Sequence, residues 1–220
     1  MIGLRRGVVG KTVDPNLKLE LKFNSQVFTD LAATVAAGAD DYVRSWRSTV
    51  GGHLLTQATD AARPQRLSDG IYFNGGDGMT APFSLATRIA WTIEGWEHDT
   101  NNSGNVVLVS FVPEQLYVNW VASTFYVGDG AANAIAFATT RPVATWYHVA
   151  VSFDGTTYRL FINGILMTSS TTALVSITTT AVNVGYRPLI SSFMLGKLTD
   201  VRIYNVAKYT ANFTPPTRSA

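Results

Sequence analysis

The sequence predicts an all-β protein, a two-sheet antiparallel β-sandwich, and three observations carry that prediction. Trp146 to Leu166 reads as three strand-like runs separated by Asp154-Gly155 and Asn163-Gly164, dipeptides that supply the positive φ angles of tight hairpin turns. Short runs rich in β-branched and aromatic residues recur along the chain with glycine, proline or asparagine between them, the spacing of a sandwich rather than of alternating β and α units. Hydrophobic residues make up 46% of the 220 and charged ones only 15%, with 11 Phe, 9 Tyr and 5 Trp. That is enough to fill one core, and β-sandwiches of roughly 200–250 residues often remain undivided.

Residues 1–15 are short, basic and glycine-bearing, and read as an arm ahead of one domain over residues 16–216, with a short tail at 217–220. Leu17, Leu19, Leu21 and Phe23 alternate with Lys18, Glu20, Lys22 and Asn24, the period-two pattern of a strand with one buried face. The alanine-rich run from Leu31 to Asp41 suits a helical turn that Gly38 would stop. Tyr42 to Trp46 is a strand, and Ser48 to Arg66 a loop long enough to need packing or a function. Strands follow at Ile71–Phe73, Trp91–Glu97, Val106–Phe111, Gln115–Trp120, Phe125–Val127 and Ala134–Ala138. After the hairpin region come Thr168–Thr180, readable as exposed strand or loop, a strand at Ala181–Val184, and the closing strand Gly196–Tyr204 with a bulge expected near Asp200.

Composition excludes several classes. A net charge of +2, with basic residues scattered apart from Arg5-Arg6, makes no field for nucleic acid. With no cysteine there is no disulfide framework and no thiolate metal site. No run approaches the ~20 apolar residues of a membrane helix, and Met1 to Gly7 lacks the apolar stretch of a signal peptide. Synthesis in a cytoplasm is therefore expected, with any outside role reached by lysis or on a particle.

Four segments resemble the concanavalin A-like jelly rolls, and within them the laminin-G-like domains of bacteriophage virion proteins. They are Trp91-Thr-Ile-Glu-Gly-Trp96, the hairpin region with Leu160-Phe-Ile-Asn-Gly164, the closing strand with Ala207 to Pro216, and a front half marked by Ser45-Trp46, Gly51-Gly-His53, Gln57-Ala-Thr59, Arg63-Pro64 and Ile71 to Gly75. The resemblance covers residues 16–216 and implies fold more strongly than activity, since glucanases, lectins, toxin modules and particle decorations share it.

A retaining glycosidase needs two carboxylates about 5 Å apart. The candidates weighed for it, Glu94 and Glu97, are three residues apart and so fall on opposite faces of a regular strand. No catalytic residue is therefore assigned. Glu97-His98-Asp99 is the densest titratable cluster but lacks the spaced ligand set of a zinc site and reads better as a strand end; His148 reads as a structural strand residue. Calcium, a structural ion in related domains, would draw on Asn74, Asp77, Asp129 and Asn133, although Asx residues in glycine-rich loops more commonly just form turns. Carbohydrate binding would use an aromatic platform with planar amides and carboxylates, for which Trp120, Tyr126, Tyr117, Asn119, Asp129 and Tyr186 are the candidates; Trp46, Trp91, Trp96 and Trp146 are assigned to the core.

The expectation is a non-enzymatic virion structural protein, a capsid decoration or tail-associated adhesin, that displays a lectin-like domain towards host-surface carbohydrate. Arg5, Arg6, Val8 and Val9 would dock it to another virion protein, and symmetric self-association would suit its few surface charges. The alternative is a stand-alone lectin or a degenerate glycoside hydrolase.

Overall fold

A computed structural model describes residues 13–24, 26–100, 104–113, 116–175 and 178–219; the docking residues Arg5, Arg6, Val8 and Val9 lie outside them. The first strands are β1 (Leu17–Leu21), β2 (Val27–Phe28), β3 (Ser45–Arg47), β4 (Leu54–Thr56), β5 (Gln65–Arg66), β6 (Ile71–Asn74) and β7 (Met79–Pro82). The central ones are β8 (Trp91–Asp99), β9 (Asn105–Val112), β10 (Tyr117–Val121), β11 (Thr124–Gly128), β12 (Asn133–Ala138) and β13 (Trp146–Phe153). The last are β14 (Tyr158–Ile162), β15 (Ile165–Ser170), β16 (Ala181–Val184), β17 (Tyr186–Arg187), β18 (Ser192–Phe193) and β19 (Leu195–Tyr204).

Two antiparallel sheets form the sandwich. One runs β15-β14-β13-β8-β19-β6-β5, with β1 also paired to β19; the other runs β12-β11-β10-β9-β16-β7-β4-β3-β2. The chain is thus an all-β concanavalin A-like jelly roll. The β13-β14-β15 meander turns at the two Asx-Gly dipeptides, with positive φ at Gly155, Asn163 and Gly164. At Gly164 a Cβ would collide with the Phe213 carbonyl, so glycine there answers both to the turn and to a passing chain segment.

Register explains which side chains meet. Trp91, Ile93, Gly95 and Glu97 of β8 lie opposite Phe153, Val151, Val149 and Tyr147 of β13, and this set faces the other sheet. Thr92, Glu94, Trp96 and His98 face outward beside Ser152, Ala150, His148 and Trp146. In β19 the register shifts between Thr199 and Arg202, where Asp200 has φ 53°. The expected bulge is therefore present, and it aligns Arg202 and Tyr204 with Glu94 and Thr92 on the outer face.

Trp46, Trp91 and Trp120 are fully buried in the core. Trp96 and Trp146 are not core residues: both are half-buried on the outer face. Neither does the run from Leu31 to Asp41 form a helix. The Asp30 carboxylate accepts the Thr34 and Val35 N–H groups instead, and Ala33 sits at φ 58°, so local side-chain bonding closes a loop. The long Ser48–Arg66 loop contributes β4, a single 3-10 turn at Asp60–Ala62 and β5.

Candidate functional site

Each outer face carries a cover. Residues 186–193, with β17 and β18, lie against β9 of the second sheet. Residues 205–219 form a strap across the first. Phe213 N–H donates to the Gly164 carbonyl, Leu166 N–H to Asn212 Oδ1, and the Tyr209 and Phe213 rings stack at 3.5 Å between centroids. Trp96 Nε1 donates to the Pro216 carbonyl, Arg218 lies 4.6 Å over Trp146, and Ser219 donates its N–H and hydroxyl to Asp200 at 2.6 and 2.7 Å.

Beneath the strap sits a buried charged cluster. Glu94 accepts the hydroxyls of Tyr204 (3.1 Å) and Tyr209 (2.7 Å), with His148 Nε2 at 3.4 Å, Lys208 Nζ at 3.6 Å and Arg202 Nη1 at 3.8 Å. Burial alone would raise its pKa, but His148, Lys208 and Tyr209 outweigh that and hold it at about 2. Both tyrosines are pushed upward, by burial and by the Glu94 charge.

Where the strap ends, a groove of about 550 Å³ opens between β1, the Thr49–Val50 turn and β19. β1 buries Leu19 and Leu21, which turns Glu20 and Lys22 to the groove side. Glu20 accepts Arg202 Nε at 2.8 Å and the Thr49 hydroxyl at 2.6 Å, with Lys22 Nζ 3.5 Å away. Burial would raise the Glu20 pKa, yet these donors hold it below the usual carboxylate range. Val13, Leu17, Val50 and Pro216 add apolar surface, and Asp14, Thr217 and Ser219 add oxygens. Such a surface can accept hydroxyl groups and pack a C–H face, which is what a sugar ring presents.

The residues picked from sequence lie elsewhere. Trp120 is wholly buried, with its ring edge-on to Phe125 and Nε1 donating to Glu97 Oε2 at 3.2 Å. It is a core residue without an accessible face, so the sugar-platform expectation fails there. Tyr117, Asn119 and Tyr126 do share one face of the second sheet, Asn119 opposite Tyr126. Asn119 is fully buried, however, and Tyr117 lies beneath Arg187, 3.4 Å from its ring centroid, donating its hydroxyl to Asn133 Oδ1. Tyr186 stacks on Phe193. Only Tyr126 and Tyr186 are partly exposed.

Asp129 also serves a structural purpose. Its carboxylate accepts the N–H groups of Ala131, Ala132 and Val175, which outweigh its burial and lower its pKa. Asn74 and Asp77 close one loop, Asp77 Oδ2 accepting the Asn74 N–H and Asn74 Oδ1 the Gly76 N–H. Burial raises Asp77 to about 6. Among the described residues no three His, Cys, Asp or Glu side chains gather as a metal site, and calcium takes six to eight oxygens. The Asp129 oxygens and Asp77 Oδ2 are engaged in closing turns, and Asn133 Oδ1 accepts the Tyr117 hydroxyl.

The third cluster lies between the sheets. Glu97 and Asp99 of β8 point inward with Arg141, which pairs with Asp99 at 2.5 Å; all three are buried. Burial raises the Glu97 carboxyl to about 7, Tyr147, Arg141 and Trp120 offsetting it only in part. Glu94 and Glu97 therefore lie on opposite faces and both out of solvent's reach. Sequence reasoning missed Glu20, Lys22, Thr49, Arg202 and Tyr204 as groove residues. Their visible signal was the alternation of β1 and of β19, but pairing those strands joins positions some 180 residues apart, as the Glu20–Arg202 bond shows.

No curated protein sequence matches the chain. Among solved structures, Trypanosoma rangeli sialidase in complex with 2,3-difluorosialic acid matches with a TM-score of 0.62 at 16% identity, over 90% of this chain and 32% of the sialidase. Domain 4 of AbnA, an extracellular arabinanase from Geobacillus stearothermophilus in complex with arabinotriose, matches with a TM-score of 0.57 at 15% identity, over 87% of this chain and 93% of that domain. The receptor-binding domain of botulinum neurotoxin type G gives 0.58 at 12% identity, over 88% and 49%. This chain spans about a third of the sialidase chains it matches, and at such identities the likeness is one of fold. A family model described as the Concanavalin A-like lectin/glucanases superfamily matches residues 71–211, more than half of the sequence, and the chain belongs to that superfamily.

Proposed function

We propose that the chain is a non-enzymatic glycan-recognition module carried on the surface of a phage particle. The observation that carries the recognition half is the groove at the end of the strap, where Glu20, Thr49 and Arg202 form one hydrogen-bonded set beside the apolar surface of Leu17, Val50 and Pro216. The non-enzymatic reading is supported by the carboxylates of β8: Glu94 and Glu97 are split between faces, Glu97 and Asp99 share the inner face, and all three are buried, leaving no reach for a water and a glycosidic oxygen at once. AbnA domain 4, of similar fold and nearly the same extent, is in complex with arabinotriose, which supports a sugar ligand. The virion half rests on the phage-type sequence of the strap, Ala207 to Pro216.

A printed glycan array tests recognition: the wild-type protein binds at least one glycan, and the groove-filling variant Thr217→Trp loses it. No groove-dependent binding to any glycan would sink the reading. Particle placement is tested by mass spectrometry and immunogold labelling of purified virions, with a variant lacking residues 2–13. That variant is expected to fold yet stay off the particle. Glycan binding by a protein never found on particles would favour the stand-alone lectin.

A further inference from the structure

We infer that the chain carries a second glycan-contact surface, separate from the groove, on which Tyr42 and Tyr72 stack against different sugar rings of one extended glycan chain. Trp146, His98, Lys197, Tyr72 and Gln65 are successive register partners across β13, β8, β19, β6 and β5, and a bridge outside the named strands adds Tyr42 beside Gln65. Partners in an antiparallel pair share one face of a sheet, so these side chains form a single row across the outer face of the first sheet. Its Trp146 end is closed: Arg218 lies over that ring, and Asp69 accepts both Trp146 Nε1 at 3.2 Å and Lys197 Nζ at 2.9 Å. Its other end is open, with Tyr72 half-buried and Tyr42, the one exposed aromatic residue among the described residues, 53% accessible.

Tyr42 is held in place before any ligand arrives. Val43 N–H donates to the Pro64 carbonyl and Arg66 N–H to the Asp41 carbonyl, each at 2.8 Å, so the backbone on both sides of the ring is fixed against β5. The Arg63 guanidinium stands over the ring at 5.3 Å, itself anchored by Nε donating to the Asp60 carbonyl at 3.0 Å. A ring supported in this way loses little freedom when a ligand stacks on it, which removes part of the usual cost of binding. Between the two tyrosines lies the planar amide of Gln65, whose Nε2 donates to the Asp40 carbonyl at 2.8 Å and leaves Oε1 to accept a sugar hydroxyl. Aromatic faces for C–H surface, with an amide between them for hydroxyls, match the alternating character of a sugar chain. Neighbouring strands stand about 4.8 Å apart, which separates Tyr42 from Tyr72 by roughly 10 Å along the row. One sugar ring cannot cover both, so the surface takes the interior of a chain rather than a single terminal sugar.

Affinity electrophoresis through gels containing soluble arabinan, galactan, laminarin or glucomannan tests this, with the full chain and its variants Tyr42→Ala, Tyr42→Phe, Tyr72→Ala, the double alanine variant and Thr217→Trp. At least one polysaccharide is expected to retard the wild type, with affinity at least about tenfold weaker in the double variant. Tyr42→Phe should keep the retardation, because the ring rather than its hydroxyl makes the stack. Tyr42→Ala removes an exposed ring and should unfold in urea near the wild-type midpoint, which keeps the test decisive should Tyr72→Ala fold poorly. In calorimetry a hexasaccharide of the retarding polymer should bind where its monosaccharide does not. Retardation unchanged in both Tyr42→Ala and the double variant would overturn the second surface, as would no retardation of the wild type by any of these polymers. Retardation lost in Thr217→Trp but kept in the tyrosine variants would also overturn it, while leaving the groove as the glycan site. A monosaccharide bound as tightly as the hexasaccharide would overturn the bridging of two rings.

Discussion

Strand β8 carries two buried glutamates three residues apart, and their surroundings drive them in opposite directions. Glu94 faces outward beneath the strap, among Arg202, Lys208, His148 and two tyrosine hydroxyls, and is held at about 2. Glu97 faces inward, shares the single guanidinium of Arg141 with Asp99, and is raised to about 7. Burial pushes both upward; the supply of donors and cations decides the outcome. The outer cluster is therefore an ion network that fastens the strap, and the inner one is a carboxyl that keeps its proton up to neutrality.

The largest expected effect breaks the outer network. Glu94→Ala leaves Arg202, Lys208 and two tyrosine hydroxyls facing a hole in a buried site, and removing one partner of a buried ion pair costs about 3–5 kcal/mol. Urea unfolding at pH 7 should show that loss, together with increased exposure of Trp96 to a fluorescence quencher as the strap loosens. Glu97→Gln should be near neutral or stabilising at the same pH, because it removes surplus negative charge and keeps a carbonyl for Trp120 Nε1. Equal losses in both variants would refute the contrast.

Acidity separates the two clusters further. Glu97 has a folded pKa near 7 against 4.5 for an ordinary glutamate, so the folded state holds a proton that the unfolded state has released between those values. Its contribution to stability is fully present below about 4.5 and is lost as pH rises to about 7, a fall on the order of 3 kcal/mol. Asp77, raised to about 6, adds a smaller fall in the same direction. Glu94, lowered from 4.5 to about 2, acts oppositely: its contribution is present above about 4.5 and is lost as pH falls towards 2. Denaturation midpoints from pH 3 to 8 should trace a dome, and Glu97→Gln should flatten its neutral side only.

Much of the fold was legible because it is written in local signals. Asp154-Gly155 and Asn163-Gly164 dictate their turns through φ alone, and the broken alternation at Asp200 marks the bulge. The roles of the tryptophans were less legible. Trp91 and Ile93 face the core, so strict alternation puts Trp96 on the outside, yet the strap makes that face half-buried too and erases the polar signature that would have fixed the phase. Trp120 sits in Tyr117-Val-Asn-Trp-Val, where both faces of the strand are covered and neither phase is favoured by composition. The groove was hidden for a different reason: Glu20 and Arg202 meet only through the pairing of β1 with β19, a contact between the two ends of the domain that no local pattern announces.

The smallest effect is the sharpest probe of how the outer network is shared. Lys208 is the most exposed member of the cluster, its side chain 30% accessible, and it reaches both the Tyr204 hydroxyl at 2.7 Å and Glu94 at 3.6 Å. Partly solvated ion pairs contribute under about 1 kcal/mol, and Arg202, His148 and both tyrosines still surround Glu94 once the ammonium is gone. Lys208→Met keeps the aliphatic stem over the Tyr204 ring, so its cost in urea at pH 7 should stay within that limit. Its electrostatic effect appears at low pH: with one cation fewer, the Glu94 pKa rises, so the acid side of the stability dome should still begin its descent near 4.5 but fall by less and level off at a higher pH than in the wild type. A variant that lost several kcal/mol at neutrality would mean that Lys208, rather than Arg202 and the paired hydroxyls, holds Glu94 ionised; an unmoved acid limb would mean that solvent already screens it completely.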